Sequence, residues 1–197
     1  MTNHSADLAR KGMLADPGDH FKGRHEVELK FEVPDLAPLR RRLAQLYAVP
    51  FVLGNEETDV FLDLGDGRLA ANAQTQVLRE MRPSGRVLWI SKGPAPDACL
   101  AMDLPAFAPA LAMLQSLGFE QTLSITKQRD IYFLGAQHVT LDRVEGLGTF
   151  VEVAAMTDDT EALETMRRDV RAAARSLGLE DEALVTQSYR ALQQHPD

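Results

Sequence analysis

Charged and apolar residues alternate along the chain between positions 24 and 33. The two sets are Arg24, Glu26, Glu28, Lys30 and Glu32 on one side and Val27, Leu29, Phe31 and Val33 on the other. A period of two residues is typical of a β-strand, because its side chains point alternately to opposite faces. The pattern therefore predicts a strand with one charged face and one apolar face.

Six further segments are rich in the β-branched and aromatic residues that favour strands. They are residues 58–64, 75–82, 86–92, 123–134, 137–144 and 148–154. Two links between consecutive strands are short and contain glycine, namely 83–85 and 145–148. Such links are typical of hairpins, so most strand pairs are predicted to be antiparallel.

Leucines recur at helical spacing at positions 36, 39, 43 and 46, and they predict an amphipathic helix with Asp35 as its N-cap. Helices are also predicted over residues 106–117 and 159–177, since Gly118 and Gly178 follow them where a helix commonly ends. A fourth helix is predicted over 180–194. The pattern as a whole indicates an α+β domain of seven or eight strands and three or four helices.

Residues 1–20 show little apolar periodicity and predict a mobile N-terminal extension, which leaves residues 21–197 as a single domain. The chain of 197 residues is 45% hydrophobic and 25% charged, which excludes disordered, collagenous and disulfide-stapled classes. Its formal charge of −8 argues against broad binding to nucleic acid or to an anionic membrane. Cys99 is the only cysteine and no apolar run is long enough to cross a bilayer, so the cytoplasm is the expected location.

The charged strand faces recur along the chain. Lys127 and Arg129 share a face, Thr140 and Asp142 share another, and Glu152 lies within an apolar strand. If the helices cover the apolar faces, the charged faces must line the inside of a closed or nearly closed barrel. Buried charges are costly unless they are paired or hold a ligand, so a lumen with both signs of charge predicts a phosphate chain bound with divalent cations.

Six segments in order resemble the CYTH, or triphosphate tunnel metalloenzyme, superfamily. They are HFKGRHEVELKF with its E-x-E-x-K core, VLREM, WISKGP, ITKQRDIYF, VTLD and GLGTFVEV. The resemblance spans about residues 20 to 193 and implies an antiparallel closed eight-stranded β-barrel with helices packed on the outside. A single E-x-E-x-K would be a weak signal, whereas six segments in order are specific.

Within the superfamily, VLREMRPSGRVLWISKGP, AAMTDD and the closing SYRAL are most similar to bacterial class IV adenylyl cyclases. The resemblance implies a homodimer that converts ATP to cyclic AMP and pyrophosphate. Many superfamily members carry an arginine at the position of Met81 and a glutamate at the position of Ala154. The class IV cyclases share both departures, which weakens the reading as a hydrolase.

The resemblance also implies roles for nine residues. Glu28 and Glu152 are the principal expected ligands of two Mg²⁺ or Mn²⁺ ions, with Glu26 and Asp142 as further ligands. Glu28, Glu152, Lys30 and Asp142 are the expected catalytic residues. The residues expected to bind the triphosphate of ATP are Lys30, Arg79, Lys92, Lys127 and Arg129.

Two alternatives stay open at this point. The same lining could hydrolyse inorganic triphosphate or thiamine triphosphate, with water as the nucleophile. A second alternative is a module that binds a nucleotide or polyphosphate without turning it over. Several carboxylates facing an anion disfavour that reading, unless metal ions are held between them. A role for Tyr189 in the SYR segment does not follow from the sequence.

Overall fold

The computed structural model describes residue 21 and residues 23–194, so the predicted N-terminal extension lies outside the described residues. The strands are β1 His25–Glu32, β2 Val49–Leu64, β3 Thr75–Arg82, β4 Val87–Lys92, β5 Cys99–Leu104, β6 Phe119–Leu134, β7 Gln137–Val144 and β8 Gly148–Thr157. The helices are α1 Ala37–Gln45, α2 Arg68–Ala71, α3 Phe107–Ser116, α4 Leu163–Ser176 and α5 Tyr189–Gln194. Asp35 accepts a hydrogen bond from the Ala37 N–H at the start of α1, although the N-cap position itself is Leu36.

The eight strands form one antiparallel sheet in the order β1-β8-β7-β6-β2-β3-β4-β5. The sheet curls until its two edge strands meet, where the Glu26 N–H donates to the Asp97 carbonyl and the Cys99 N–H donates to the Arg24 carbonyl. The predicted α+β fold, with an eight-stranded antiparallel sheet and helices outside, is confirmed. Closure of the barrel is confined to this short contact between β1 and the start of β5.

Three of the helices, α1, α3 and α4, cover the outer face of the sheet through two apolar clusters. The first joins α1 and α4 to β1, β7 and β8 and includes Phe31, Leu43, Val151 and Val170, all at most 1% exposed. The second packs α3 against β2, β3 and β4. Burial of these apolar faces stabilises the fold by the hydrophobic effect and leaves the opposite face of each strand directed inward.

Two strands differ most from the prediction, while β6 begins four residues earlier and β8 ends three residues later than predicted. Strand β2 begins at Val49, nine residues before the predicted start at residue 58. Its first part was missed because register shifts between Pro50 and Val52 and between Val52 and Asn55 break the period of two. Strand β5 was not predicted, and it begins at Cys99. Its segment CLAMDL contains no β-branched residue, so it pairs with β4 without a strong local preference for a strand.

The predicted fourth helix over 180–194 is wrong as a continuous element. A 3₁₀ turn at Asp181–Ala183 is followed by an extended stretch, in which the Val185 N–H donates to the Lys30 carbonyl. Pairing with β1 satisfies that backbone group, and α5 begins only at Tyr189. In the part of the chain that the structure describes, none of the helices has the length and apolar character needed to span a membrane.

Candidate functional site

The inner face of the curled sheet carries a network of ionisable side chains. It contains six carboxylates and five cations among the described residues: Glu26, Glu28, Glu57, Asp59, Asp142, Glu152, Lys30, Arg79, Lys92, Lys127 and Arg129. These residues come from seven of the eight strands. We call this region the charged lumen.

One group in the charged lumen centres on Asp59 of β2. Its two oxygens accept from Arg79 at 2.6 and 2.9 Å, and Lys127 donates to it at 2.5 Å. Glu57 lies 3.1 Å from Arg79 and 3.3 Å from Lys127. Burial alone would raise the pKa of Asp59, but the two cations outweigh it and hold that pKa well below its usual range.

A second group centres on Arg129 of β6. The guanidinium donates to both oxygens of Asp142 on the neighbouring strand and to Glu152 at 2.5 Å. Thr140 donates to the same oxygen of Glu152 at 3.3 Å. Although burial opposes ionisation of Glu152, Arg129 and Lys30 lower its pKa to about 2, so Glu152 is a carboxylate at neutral pH.

The third group lies on β1, next to the seam of the barrel. Lys92 of β4 is 2.6 Å from Glu26 and 3.6 Å from Glu28. Lys92 lowers the pKa of Glu26 to about 2 against the opposing effect of burial. Glu28 behaves oppositely: burial and the negative charge of Glu152 raise its pKa to about 7. The nearby cations Lys92 and Lys30 do not offset these two effects at Glu28.

Tyr189 of α5 closes one side of the lumen. Its hydroxyl donates to Asp142 at 2.8 Å, and the Lys30 ammonium lies 4.4 Å from the centre of its ring. The ring also meets Phe150 edge-on at 5.1 Å. Tyr189 therefore orients one carboxylate and one cation at once, through a hydrogen bond and a cation–π contact. These two contacts of Tyr189 could not be predicted from the sequence.

All nine residues singled out in the sequence lie in the charged lumen: Glu26, Glu28, Lys30, Arg79, Lys92, Lys127, Arg129, Asp142 and Glu152. Glu57 and Asp59 were missed. They alternate at i and i+2 as Glu26 and Glu28 do, and that pattern was the available signal. Within residues 23–194 no three carboxylates or imidazoles already converge as a metal site. Instead, Lys92 is paired with the two glutamates of β1, and Arg129 links Asp142 to Glu152.

We expect Glu28→Gln to stabilise the fold at neutral and higher pH. The pKa of Glu28 in the folded protein, about 7, exceeds the ordinary value of 4.5. Stability from Glu28 is therefore present below about pH 4.5 and lost as the pH rises to about 7. The variant should melt a few degrees above the wild type at pH 8, with a smaller difference at pH 5. Glu32→Gln, at an exposed position of the same strand, is the control. A lower melting temperature for Glu28→Gln at pH 8 would contradict this reading.

The arrangement suits a small polyanion. The five cations are already paired with carboxylates or lie near them, so an incoming phosphate chain would take cations from carboxylates. The carboxylates released in this way are hard oxygen donors, the type that Mg²⁺ and Mn²⁺ prefer. The residue types present would therefore fit a phosphate chain bound together with divalent metal ions.

Comparisons with known proteins agree with this site. The model of the CYTH domain matches residues 24–189. The adenylate cyclase CyaB of Aeromonas hydrophila is 43% identical over 173 residues, which cover 88% of this chain and 91% of the relative. The structure of a proposed adenylate cyclase from Vibrio parahaemolyticus shares 34% identity with a TM-score of 0.85, covering 88% of this chain and all of that one.

A more distant structure marks the range of activities on this fold. HpAC1 of Hippeastrum, named as an adenylyl cyclase candidate with a dominant triphosphatase activity, has a TM-score of 0.58 at 15% identity, covering 86% of this chain and 95% of its own. At that identity the likeness shows the fold alone. The family match covers most of the chain and includes every predicted residue of the lumen. The chain therefore belongs to the CYTH domain family.

Proposed function

We propose that this protein is an adenylate cyclase that converts ATP to 3′,5′-cyclic AMP and pyrophosphate. The observation that carries the proposal is the charged lumen, in which five cations face six carboxylates. The similarity to the Aeromonas cyclase over 88% of the chain supports cyclisation as the reaction. The homodimer and the cytoplasmic location stay predictions.

The donors in the lumen fit divalent metal ions. Glu28 and Glu152 are near enough for the charge of one to raise the pKa of the other, so a cation between them would relieve a repulsion that the structure displays. Glu26 and Asp142 would complete the set of oxygen donors. When bound there, Mg²⁺ or Mn²⁺ would lower the pKa of the ribose 3′-hydroxyl and neutralise charge on the phosphates.

The cations of the lumen would hold the triphosphate. Lys92 would move from Glu26 to a phosphate oxygen. Lys30, whose ammonium lies 4.4 Å from the centre of the Tyr189 ring, would donate to another. Arg79, Lys127 and Arg129 are fixed by Asp59, Glu57 and Asp142, so little conformational entropy remains to be lost when they bind phosphate.

The reaction is an in-line displacement. A bond forms between the 3′-oxygen and the α-phosphorus, while the bond from the α-phosphorus to its bridging oxygen breaks and leaves pyrophosphate. The hydroxyl proton passes to solvent, so no protein base is required. Arginine and lysine side chains stabilise the negative charge that develops on the departing pyrophosphate.

Hydrolysis of the triphosphate is the main competing reaction on this fold, and the ribose 3′-hydroxyl separates the two. A cyclase cannot turn over 3′-deoxy-ATP, because the attacking oxygen is absent, whereas a triphosphatase needs only water. We expect the purified protein with Mg²⁺ or Mn²⁺ to leave 3′-deoxy-ATP and inorganic triphosphate intact while it consumes ATP. Release of phosphate from 3′-deoxy-ATP at the rate seen for ATP would reject the cyclase and establish the hydrolase.

A further inference from the structure

Four aromatic rings pack together beside the charged lumen. Phe51 and Phe133 are stacked with their centroids 4.7 Å apart. Phe21 lies 5.7 Å from Phe51, 5.9 Å from Phe133 and 4.8 Å from the His138 ring. We call this cluster, Phe21, Phe51, Phe133 and His138, the aromatic wall. Its residues belong neither to the two apolar clusters under the helices nor to a third cluster of buried residues that includes Phe61 and Phe150.

The aromatic wall continues the inner face of the sheet. Phe133 follows Arg129 by four residues on β6, so both side chains point to the same face of that strand. His138 lies on β7, and its Nε2 atom is 4.0 Å from Oε1 of Glu26. Glu26 in turn pairs with Lys92. A ligand held by the cations of the lumen would therefore meet the aromatic wall at its edge.

The wall is only half buried, unlike an ordinary aromatic core. Phe133 and His138 are 8% and 5% exposed, whereas Phe21 and Phe51 are each 37% exposed. Gly23 sets the path of the chain next to Phe21, since its φ is 145° and a Cβ there would lie 2.6 Å from the Thr157 nitrogen. Position 23 therefore requires glycine, and it lies two residues from a ring that stays partly exposed to solvent.

We propose that the aromatic wall binds the adenine ring of ATP and so distinguishes a nucleoside triphosphate from inorganic triphosphate. The inference rests on the proposed function, because it takes the charged lumen as the triphosphate site. A nucleotide joins a flat, weakly polar base to a polyanion, and the chain presents open aromatic rings next to a cluster of cations. Stacking of a base on an aromatic side chain is sequence-tolerant and strong enough to matter, about fivefold to a hundredfold in affinity.

Binding measurements test the aromatic wall without relying on turnover. Phe51→Leu and Phe21→Leu keep an apolar side chain but remove the ring. With Mg²⁺ present, calorimetry gives the dissociation constants for the α,β-methylene analogue of ATP and for inorganic tripolyphosphate. We expect each variant to weaken binding of the analogue by about tenfold and to leave binding of tripolyphosphate within about twofold. Met102→Ala, at an exposed position paired with Trp89 on β4, is the control and should change neither constant.

Two results would overturn the aromatic wall as a base site. Equal weakening of both ligands would mean that the rings only support the structure of the lumen. Unchanged binding of both ligands by the double variant Phe21→Leu/Phe51→Leu would mean that the base lies elsewhere. Neither result depends on which reaction the protein catalyses. If the wild-type protein makes no cyclic AMP, the proposed function is rejected. The ratio of the dissociation constants for the ATP analogue and tripolyphosphate still tests the aromatic wall as a base site.

Discussion

Glu152→Gln should lower kcat for cyclic AMP formation by about a hundredfold or more, with the fold intact. Glu152 is a carboxylate at neutral pH, because its pKa is held near 2. It lies on the strand that pairs with the strand of Glu28, and its charge raises the pKa of that residue. The amide of glutamine retains an oxygen that can accept from Arg129 but loses the charge that would hold a divalent cation. Rate measurements over a range of Mn²⁺ concentrations should show activity returning in part at high metal concentration.

A matched variant separates loss of the site from loss of structure. Glu145→Gln removes a charge from an exposed turn beside the same strand and should leave kcat unchanged. Circular dichroism should give the same spectrum for both variants and the wild type. Wild-type kcat with unchanged metal dependence in Glu152→Gln would remove Glu152 from the proposed metal site.

Asp59→Asn should lower the free energy of unfolding by about 3 to 5 kcal/mol. The substitution leaves the buried Lys127 and the partly buried Arg79 with only Glu57 to balance them, because Asp59 in the wild type accepts three hydrogen bonds from these two cations. Removal of one partner from a buried ion pair is strongly destabilising, because it leaves an unpaired charge in the interior. Replacement of the whole pair by apolar residues often changes the stability little. Urea unfolding followed by circular dichroism measures the change.

The surface pair of Arg86 and Asp103 offers the matched comparison. It also joins neighbouring strands through several hydrogen bonds, but its side chains are 53% and 64% exposed. Asp103→Asn should therefore cost less than about 1 kcal/mol. If Asp59→Asn lowers the free energy of unfolding no more than Asp103→Asn does, the ion pairs of Asp59 are as weak as a surface pair. That result would contradict the account of a buried, tightly coupled network.

The alternation of charged and apolar residues predicted much of the site, because this pattern can be read wherever a strand is regular. Glu26, Glu28 and Lys30 could be placed on one face because β1 pairs with β8 without a register shift over eight residues. Glu57 was missed because the strand was predicted to begin only at residue 58; two register shifts between Pro50 and Asn55 obscure the alternation in the first part of β2. A periodicity of two cannot be read through such bulges.

Contacts across the barrel could not be predicted from local pattern. Lys92 meets Glu26 only because β1 and β5 come together at the seam, and β5 itself has weak strand propensity. Likewise, Tyr189 reaches Asp142 because the segment before α5 is extended along β1 and not helical. Both contacts depend on tertiary closure, which overrides local preference.

Separation of the products formed from ATP tests the central claim most directly. The purified protein is incubated with ATP and Mg²⁺ or Mn²⁺, nucleotides are resolved by chromatography, and pyrophosphate and phosphate are assayed in the same samples. If the charged lumen acts as a cyclase, cyclic AMP and pyrophosphate form in equal amounts, and neither product forms with Glu152→Gln. Formation of ADP or AMP with phosphate or pyrophosphate, and no cyclic AMP, would contradict it.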